Sequence, residues 1–316
     1  MRYPFLPTVL LSLLLPHVGH GATNPPPAAS PTRALTFDVR AYGATGDGRT
    51  LDTAAINRAI AAAAAAGGGT VWFPAGTYAS YSIHLQSNVT LHLDSGSTLL
   101  AADPPPAGTP GGYDAAEPNA WSQFQDFGHT HWHNSLIWGE NLENVSITGF
   151  GRIYGRGLSR GNGRDSLPVG ATPPATPDGE LPDVLAADGV VTLPERPDLV
   201  PGPFNYPNAR DTLPDGIGNK AIALKNCRNV TLRDFTMLHG GHFAILATGV
   251  DNFTIDNLQI DTNRDGIDID ACVNVRVSNC AINSPWDDGL CLKSSHGLGV
   301  ARVTENVTIT NCFLSG

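Results

Sequence analysis

Charge is scarce in this 316-residue chain: Asp, Glu, Lys and Arg make up 15% of it, and aromatic residues only 7%. So few charges argue against a helical bundle, whose solvent faces need them. The scarcer sign is positive, 19 Lys and Arg against 29 Asp and Glu for a net charge of −10, which argues against nucleic acid as a partner. Beyond the amino terminus no run approaches the ~20 apolar residues of a membrane helix. Cysteine is absent until Cys227, and the five that occur are an odd number. A disulfide framework is therefore not expected, and buried thiols suit the placement better.

What the chain has instead is turn-formers, 35 glycines and 25 prolines, the composition of turn-rich β structure. The first 22 residues, MRYPFLPTVLLSLLLPHVGHGA, set Arg2 before an apolar run from Phe5 to Leu15 and end in small residues, the pattern of a signal peptide. The expectation is a secreted or periplasmic protein, with residues 23–36 as a Pro-rich linker and 37–316 as one domain.

A short motif recurs along that domain: NVTLHLD at Asn88, NVSITGF at Asn144, NVTLRDF at Asn229, NFTIDNL at Asn252, NVRVSNC at Asn274 and NVTITNC at Asn306. Short strands repeating at a period near 22, with no helical periodicity, predict a parallel β-helix in which each repeat is one coil. Within NVTLRDF, Val230 and Leu232 alternate with Thr231 and Arg233, so one side of the strand faces the coil interior. The sixth position after each late asparagine is Phe235, Leu258, Cys280 or Cys312, which places Cys280 and Cys312 as neighbours in one column, as core thiols or as a disulfide. Five of the asparagines form N-x-S/T sequons, yet their common register favours turn residues in the left-handed region.

Upstream, DTAAINRAIAAAAAAGGG reads as a helix capped by Asp52 or Thr53 and ended by Gly67 to Gly69, suited to plug the open end of a coil stack. Two Pro- and Gly-rich stretches, 103–119 and 158–216, interrupt the coils as long loops. The repeat breaks off within a coil at NCFLSG, which suggests a fragment of a longer protein.

Counting back from each asparagine aligns the acids of NRDGIDID and DDGLCLK. Phe243, Asp265 and Asp288 fall in one column, and His242, Arg264 and Asp287 in the next. Asp268, Asp270, Cys291 and Lys293 take outward positions of the strands that follow, where Asp268 and Asp270 can be plain solvated carboxylates. Clustered carboxyls repel, so one holds its proton while others stay ionised, the condition for general acid and base work on a glycosidic bond. HTHWH, residues 129–133, alternates histidines along a presumed strand and suggests a metal site, a cleft wall against sugar or a surface edge.

These elements carry a resemblance. NRDGID looks like the N-x-D-G-x-D element and DDGLCLKS like the D-D element of the polygalacturonase-type glycoside hydrolases, family 28. FDVRAYGATGDGRTLDTAAINRAI and GGGTVWFPAGTY resemble the opening of that family. The resemblance implies an all-β, single-stranded right-handed parallel β-helix, pectin-lyase-like, that hydrolyses α-linked galacturonic acid in pectin-like polysaccharide by inversion. It implies Asp287 as proton donor, and Asp265 and Asp288 as the pair that activates water. The family's G-H-G and R-I-K elements are absent, so His242, Arg264 and Lys293 are the candidates for contact with substrate. No cofactor or metal is called for, and a monomer acting on polysaccharide, with no membrane or nucleic acid, is expected. A calcium-dependent polysaccharide lyase and a non-catalytic carbohydrate-binding β-helix are the alternatives.

Overall fold

The computed structural model describes residues 35–106, 108–122, 125, 127–159, 213–262, 264–285 and 287–315. The expected signal peptide, nearly all of the linker, most of the 158–216 stretch and Asn263 of the first acidic motif lie outside them.

Each coil is three short strands separated by tight bends. In one, Phe243–Thr248 leads to Asp251–Asp256 and then to Gln259–Asp261, after which Asp265–Asp270 begins the next coil directly on top of Phe243–Thr248. Repetition of this path makes three sheets in which every third strand pairs, all in parallel, with eight, eight and six strands among the described residues. This is a parallel β-helix, and its interior is filled by columns of like side chains. Val145, Val230, Phe253 and Val275 form one column and Ile147, Leu232, Ile255 and Val277 another, all buried. Burying each such side chain contributes about 1.5–3 kcal/mol, which is what a chain without helical amphipathy uses to hold its shape. Cys227, Cys272 and Cys280 are buried in the same interior, Cys312 packs against it from the final coil, and all five cysteines are free thiols.

The recurring asparagines sit at the start of strands of one sheet, Asn88 just before its strand and the other five as the second residue of theirs. Asn88, Asn144, Asn229, Asn252, Asn274 and Asn306 all have φ between 53° and 65°. That is the left-handed region, which asparagine tolerates because its short amide bonds locally. Here the amide also bonds vertically: each side chain donates to the one below it, Asn144 to Asn88 at 2.8 Å, Asn252 to Asn229 at 2.9 Å and Asn274 to Asn252 at 3.1 Å. The repeat in the sequence is thus the imprint of an amide ladder along the rod.

The helix Thr53–Ala65 closes one end, with Ala55, Ile56, Ala59, Ile60 and Ala63 turned into the core. Its N-cap differs from expectation. Asp52 stands at the cap position but makes no capping bond, because its carboxylate accepts instead from the backbone N–H groups of Thr45, at 2.7 Å, and Gly46, at 3.1 Å.

Candidate active site

The six-stranded sheet carries the chemistry. Its strands pair as the sequence registers them, the inward Ile267 with Leu290, and the outward Asp268 with Cys291 and Asp270 with Lys293. Its outer face, however, is covered. Trp132 packs with Ala223, Phe243 and Leu246 in a buried cluster of its own, and Leu298 closes it from the other side. Glu117 ties this cover down by accepting from the backbone N–H groups of Trp132, at 3.0 Å, and His133, also at 3.0 Å. Trp132 Nε1 donates to Thr248 Oγ1 at 3.1 Å. Among the described residues, Asp265, Asp287 and Asp288 lie beyond this cover, at the end of the sheet where the strands begin.

Asp265 opens its strand and is 3% exposed, whereas Asp287 and Asp288 are exposed on the turn of the next coil. One carboxylate oxygen from each comes within 4.8 Å of the others. The close approach needs Gly266, because a Cβ there would stand 2.3 Å from the carbonyl oxygen of Gly289. Gly266 N–H donates to Asp288 O at 2.8 Å, and Asp288 N–H donates to Asp287 Oδ1 at 3.0 Å, which fixes the acidic turn against the strand below.

Arg264 binds Asp287 Oδ2 through Nη2 at 2.8 Å and Nε at 3.3 Å, and its Nη1 donates to His242 Nδ1 at 3.3 Å. The His242, Arg264, Asp287 column predicted from spacing is thus a bonded chain along the rim. Lys293 lies on the opposite, buried side. Its ammonium is 2.6 Å from Asp268 Oδ1 and 3.9 Å from Asp265 Oδ2, and it meets His129 Nε2.

Two expectations are corrected here. Asp268 and Asp270 are not solvated; both are fully buried beneath the cover. Asp268 accepts from Lys293 and from Cys291 Sγ at 2.8 Å, and Asp270 from the N–H of Ser295 at 2.7 Å. HTHWH is not a strand: Phe127–Thr130 is a short helix, from which His129 reaches to 3.6 Å from Asp268 while its ring meets Phe243 edge-on at 4.5 Å. His131 stacks on Phe127, and His133 bonds Glu140 at 2.9 Å. The alternation placed the three histidines together, but the helical turn sends them to different partners. Asp268, His129 and Cys291 are the site groups whose part sequence reasoning missed. Period-two alternation marked Asp268 and Cys291 as outward, but no local signal says that a segment more than 100 residues away covers them.

Electrostatics separates the carboxyls. Burial pushes the Asp265 carboxyl up to about 9, and the negative charges of Asp268 and Asp287 push the same way. Burial acts likewise on Asp268, but His129, the Lys293 charge and the Cys291 thiol outweigh it and hold Asp268 far below the usual carboxylate range. Lys293 is raised in turn, its desolvation outweighed by Asp268. For Asp287, burial is outweighed by the hydrogen bonds and charge of Arg264, so it lies below its ordinary value. Burial thus favours the proton on Asp265, while Arg264 favours the ionised form of Asp287, the residue that the resemblance implies as proton donor.

Among the described residues, two groups of side chains lie within reach of a single metal ion, His129 with Asp265 and Asp268, and Asp265 with Asp287 and Asp288. The chain already supplies cations to both, Lys293 to the first and Arg264 to the second.

Comparison with known proteins gives the class first. Residues 36–104 match the family described as rhamnogalacturonase A/epimerase, pectate lyase-like, and residues 215–316 match the right handed beta helix region. The molecule is a right-handed parallel β-helix of the pectin-lyase-like kind. Within that class the chain is similar to polygalacturonases. It is 27% identical over 88% of its length to the exo-poly-alpha-D-galacturonosidase of Dickeya chrysanthemi, of which it spans 45%. Solved structures with the same fold include an exopolygalacturonase from Thermotoga maritima, at a TM-score of 0.62 and 21% identity over 89% of this chain and 60% of that one. Another is a family 28 exopolygalacturonase from Yersinia enterocolitica, at 0.60 and 23% identity over 89% of this chain and 49% of that one. The chain spans about half the length of the curated relative named above.

Proposed function

We propose that the protein is a glycoside hydrolase that cleaves α-linked galacturonic acid in pectin-like polysaccharide with inversion at the anomeric carbon. The observation that carries this reading is the convergence of Asp265, Asp287 and Asp288, one carboxylate oxygen of each within 4.8 Å of the others, in surroundings that push the affinities of Asp265 and Asp287 for a proton apart. In this reading Asp287, at the rim, protonates the departing glycosidic oxygen. Asp265 and Asp288 hold and deprotonate the attacking water. Arg264 and Lys293 flank the acids and supply the positive charge that a uronate carboxylate needs, and His242, bonded to Arg264, adds a polar contact beside them. The amino-terminal segment supports export to where such a polymer lies.

The test is release of reducing ends from polygalacturonate and from rhamnogalacturonan, with proton NMR of the first-formed anomer. Asp287→Asn should lower kcat/KM by about 10³-fold or more. Wild-type protein that releases nothing, or an Asp287→Asn variant as active as wild type, would sink the reading. An unsaturated product lost on calcium chelation would replace it with a lyase.

A further inference from the structure

Two buried oxygens in this site have no hydrogen-bond partner among the described residues, Asp265 Oδ1 and Asp268 Oδ2. A carboxylate only accepts, so two adjacent buried carboxylates leave such orphans by necessity. One proton removes the difficulty, because a protonated Asp265 can donate to an acceptor that has none. The neighbours decide which carboxyl takes it. Asp268 has two donors on it, Lys293 at 2.6 Å and the Cys291 thiol at 2.8 Å, with His129 nearby at 3.6 Å, so it is the one that remains ionised. Lys293 is the nearest cation to Asp265, at 3.9 Å, and is engaged by Asp268. Among the described residues, the charged and titratable groups that face Asp265 are Asp268, Lys293 and His129 on the buried side and Arg264, Asp287 and Asp288 on the open side.

We propose that Asp268 is a positioning residue that stores the catalytic proton on Asp265, and that one hop of this proton to Asp287 arms the site. The inference rests on the hydrolase reading above. The hop breaks the Asp265 O–H bond and forms an Asp287 O–H bond, so one transfer creates the general acid and the general base together. Asp287 then gives this proton to the leaving oxygen as the glycosidic bond breaks, and Asp265 takes a proton from the water that bonds to the anomeric carbon. The cycle ends with Asp265 protonated and Asp287 ionised, the resting state again, and water is the only other reactant. Arg264 sets the trigger. While it pairs with Asp287 the hop is opposed, and an anionic group of the substrate that draws the guanidinium away permits it.

The proton can be read without substrate, by carbon NMR of protein labelled at the Asp carboxyls. In the wild type one carboxyl, assigned to Asp265 by its loss in Asp265→Asn, should titrate near pH 9. Asp268→Asn removes the stored negative charge and frees Lys293, so this titration should fall by at least about one pH unit. The alkaline limb of kcat/KM on polygalacturonate should fall with it. Lys293→Met removes a positive charge, and the proton should be held to higher pH than in the wild type. That opposite sign keeps the test decisive if Asp268→Asn does not fold. A wild-type Asp265 that titrates as an ordinary carboxylate, or one that moves in neither variant, overturns the proposal even if the protein hydrolyses polymer. If polymer is not cleaved but both shifts occur, the proton store stands and the hydrolase reading fails.

Discussion

Asp265 keeps its proton where an unfolded chain would have lost it, and this difference makes the fold pH-dependent. The carboxyl is raised from an ordinary 3.8 to about 9 in the folded state. Between those values the folded protein binds one more proton than the unfolded chain, so stability falls as pH rises through that window and is level outside it. Asp265→Asn removes this proton uptake. The variant should be more stable than the wild type by about 1–3 kcal/mol at pH 7, with a gain that vanishes toward pH 4. Urea unfolding at the two pH values reads it, and destabilisation at pH 7, or a gain independent of pH, would contradict the burial of a protonated acid. Such a variant trades activity for stability, as groups held in strained charge states do. Asp268, depressed by its cations, contributes in the opposite sense: its stabilisation is present above pH ~4 and lost only in strong acid.

At the scale of the element, the strand-and-bend unit was legible because two independent signals coincide in it. Alternation in NVTLRDF assigns inside and outside, and an asparagine at a fixed place announces a bend in the left-handed region. The ladder makes a separable prediction. Asn274 has φ of 59°, donates to Asn252 and accepts from Asn306 at 3.2 Å. Asn274→Gly loses the amide bonds, about 1 kcal/mol, in a residue free to adopt the left-handed region, whereas Asn274→Ala loses the same bonds and keeps a Cβ there without the asparagine's local bonding, roughly 1–2 kcal/mol worse than glycine. Thermal unfolding should rank wild type, glycine and alanine in that order; alanine equal to glycine would mean that the bend is not what the asparagine serves. The helix cap was misread at this same scale. Asp52 is a residue type suited to an N-cap, but the backbone at Thr45 and Gly46 offers its carboxylate two N–H groups from outside the helix.

Over the whole molecule, stacking converts sequence distance into neighbourhood, and this decided which parts of the site could be foreseen. The coil after Asn274 is longer than its predecessor, yet matching Leu290 and Leu292 to Ile267 and Ile269 sufficed to bring Asp287 and Asp288 beside Asp265, because the register of a parallel strand is set by which residues face inward. His129 and the Trp132 cover could not be placed that way, since they belong to no coil and reach the sheet across more than 100 residues with no period to count. The same scale governs how substrate arrives. A net charge of −10 repels a polyuronate at long range, while Arg264 and Lys293 act on it only within the ledge. The Debye length shrinks from about 30 Å at 0.01 M salt to about 8 Å at 0.15 M, so added salt removes the distant repulsion before it weakens contacts of a few ångströms. KM for polygalacturonate should therefore fall several-fold over that range with kcat little changed, and a neutral pectin fragment should show no such trend. A KM that climbs steadily from the lowest salt would mean that cations outside the ledge dominate capture of the polymer.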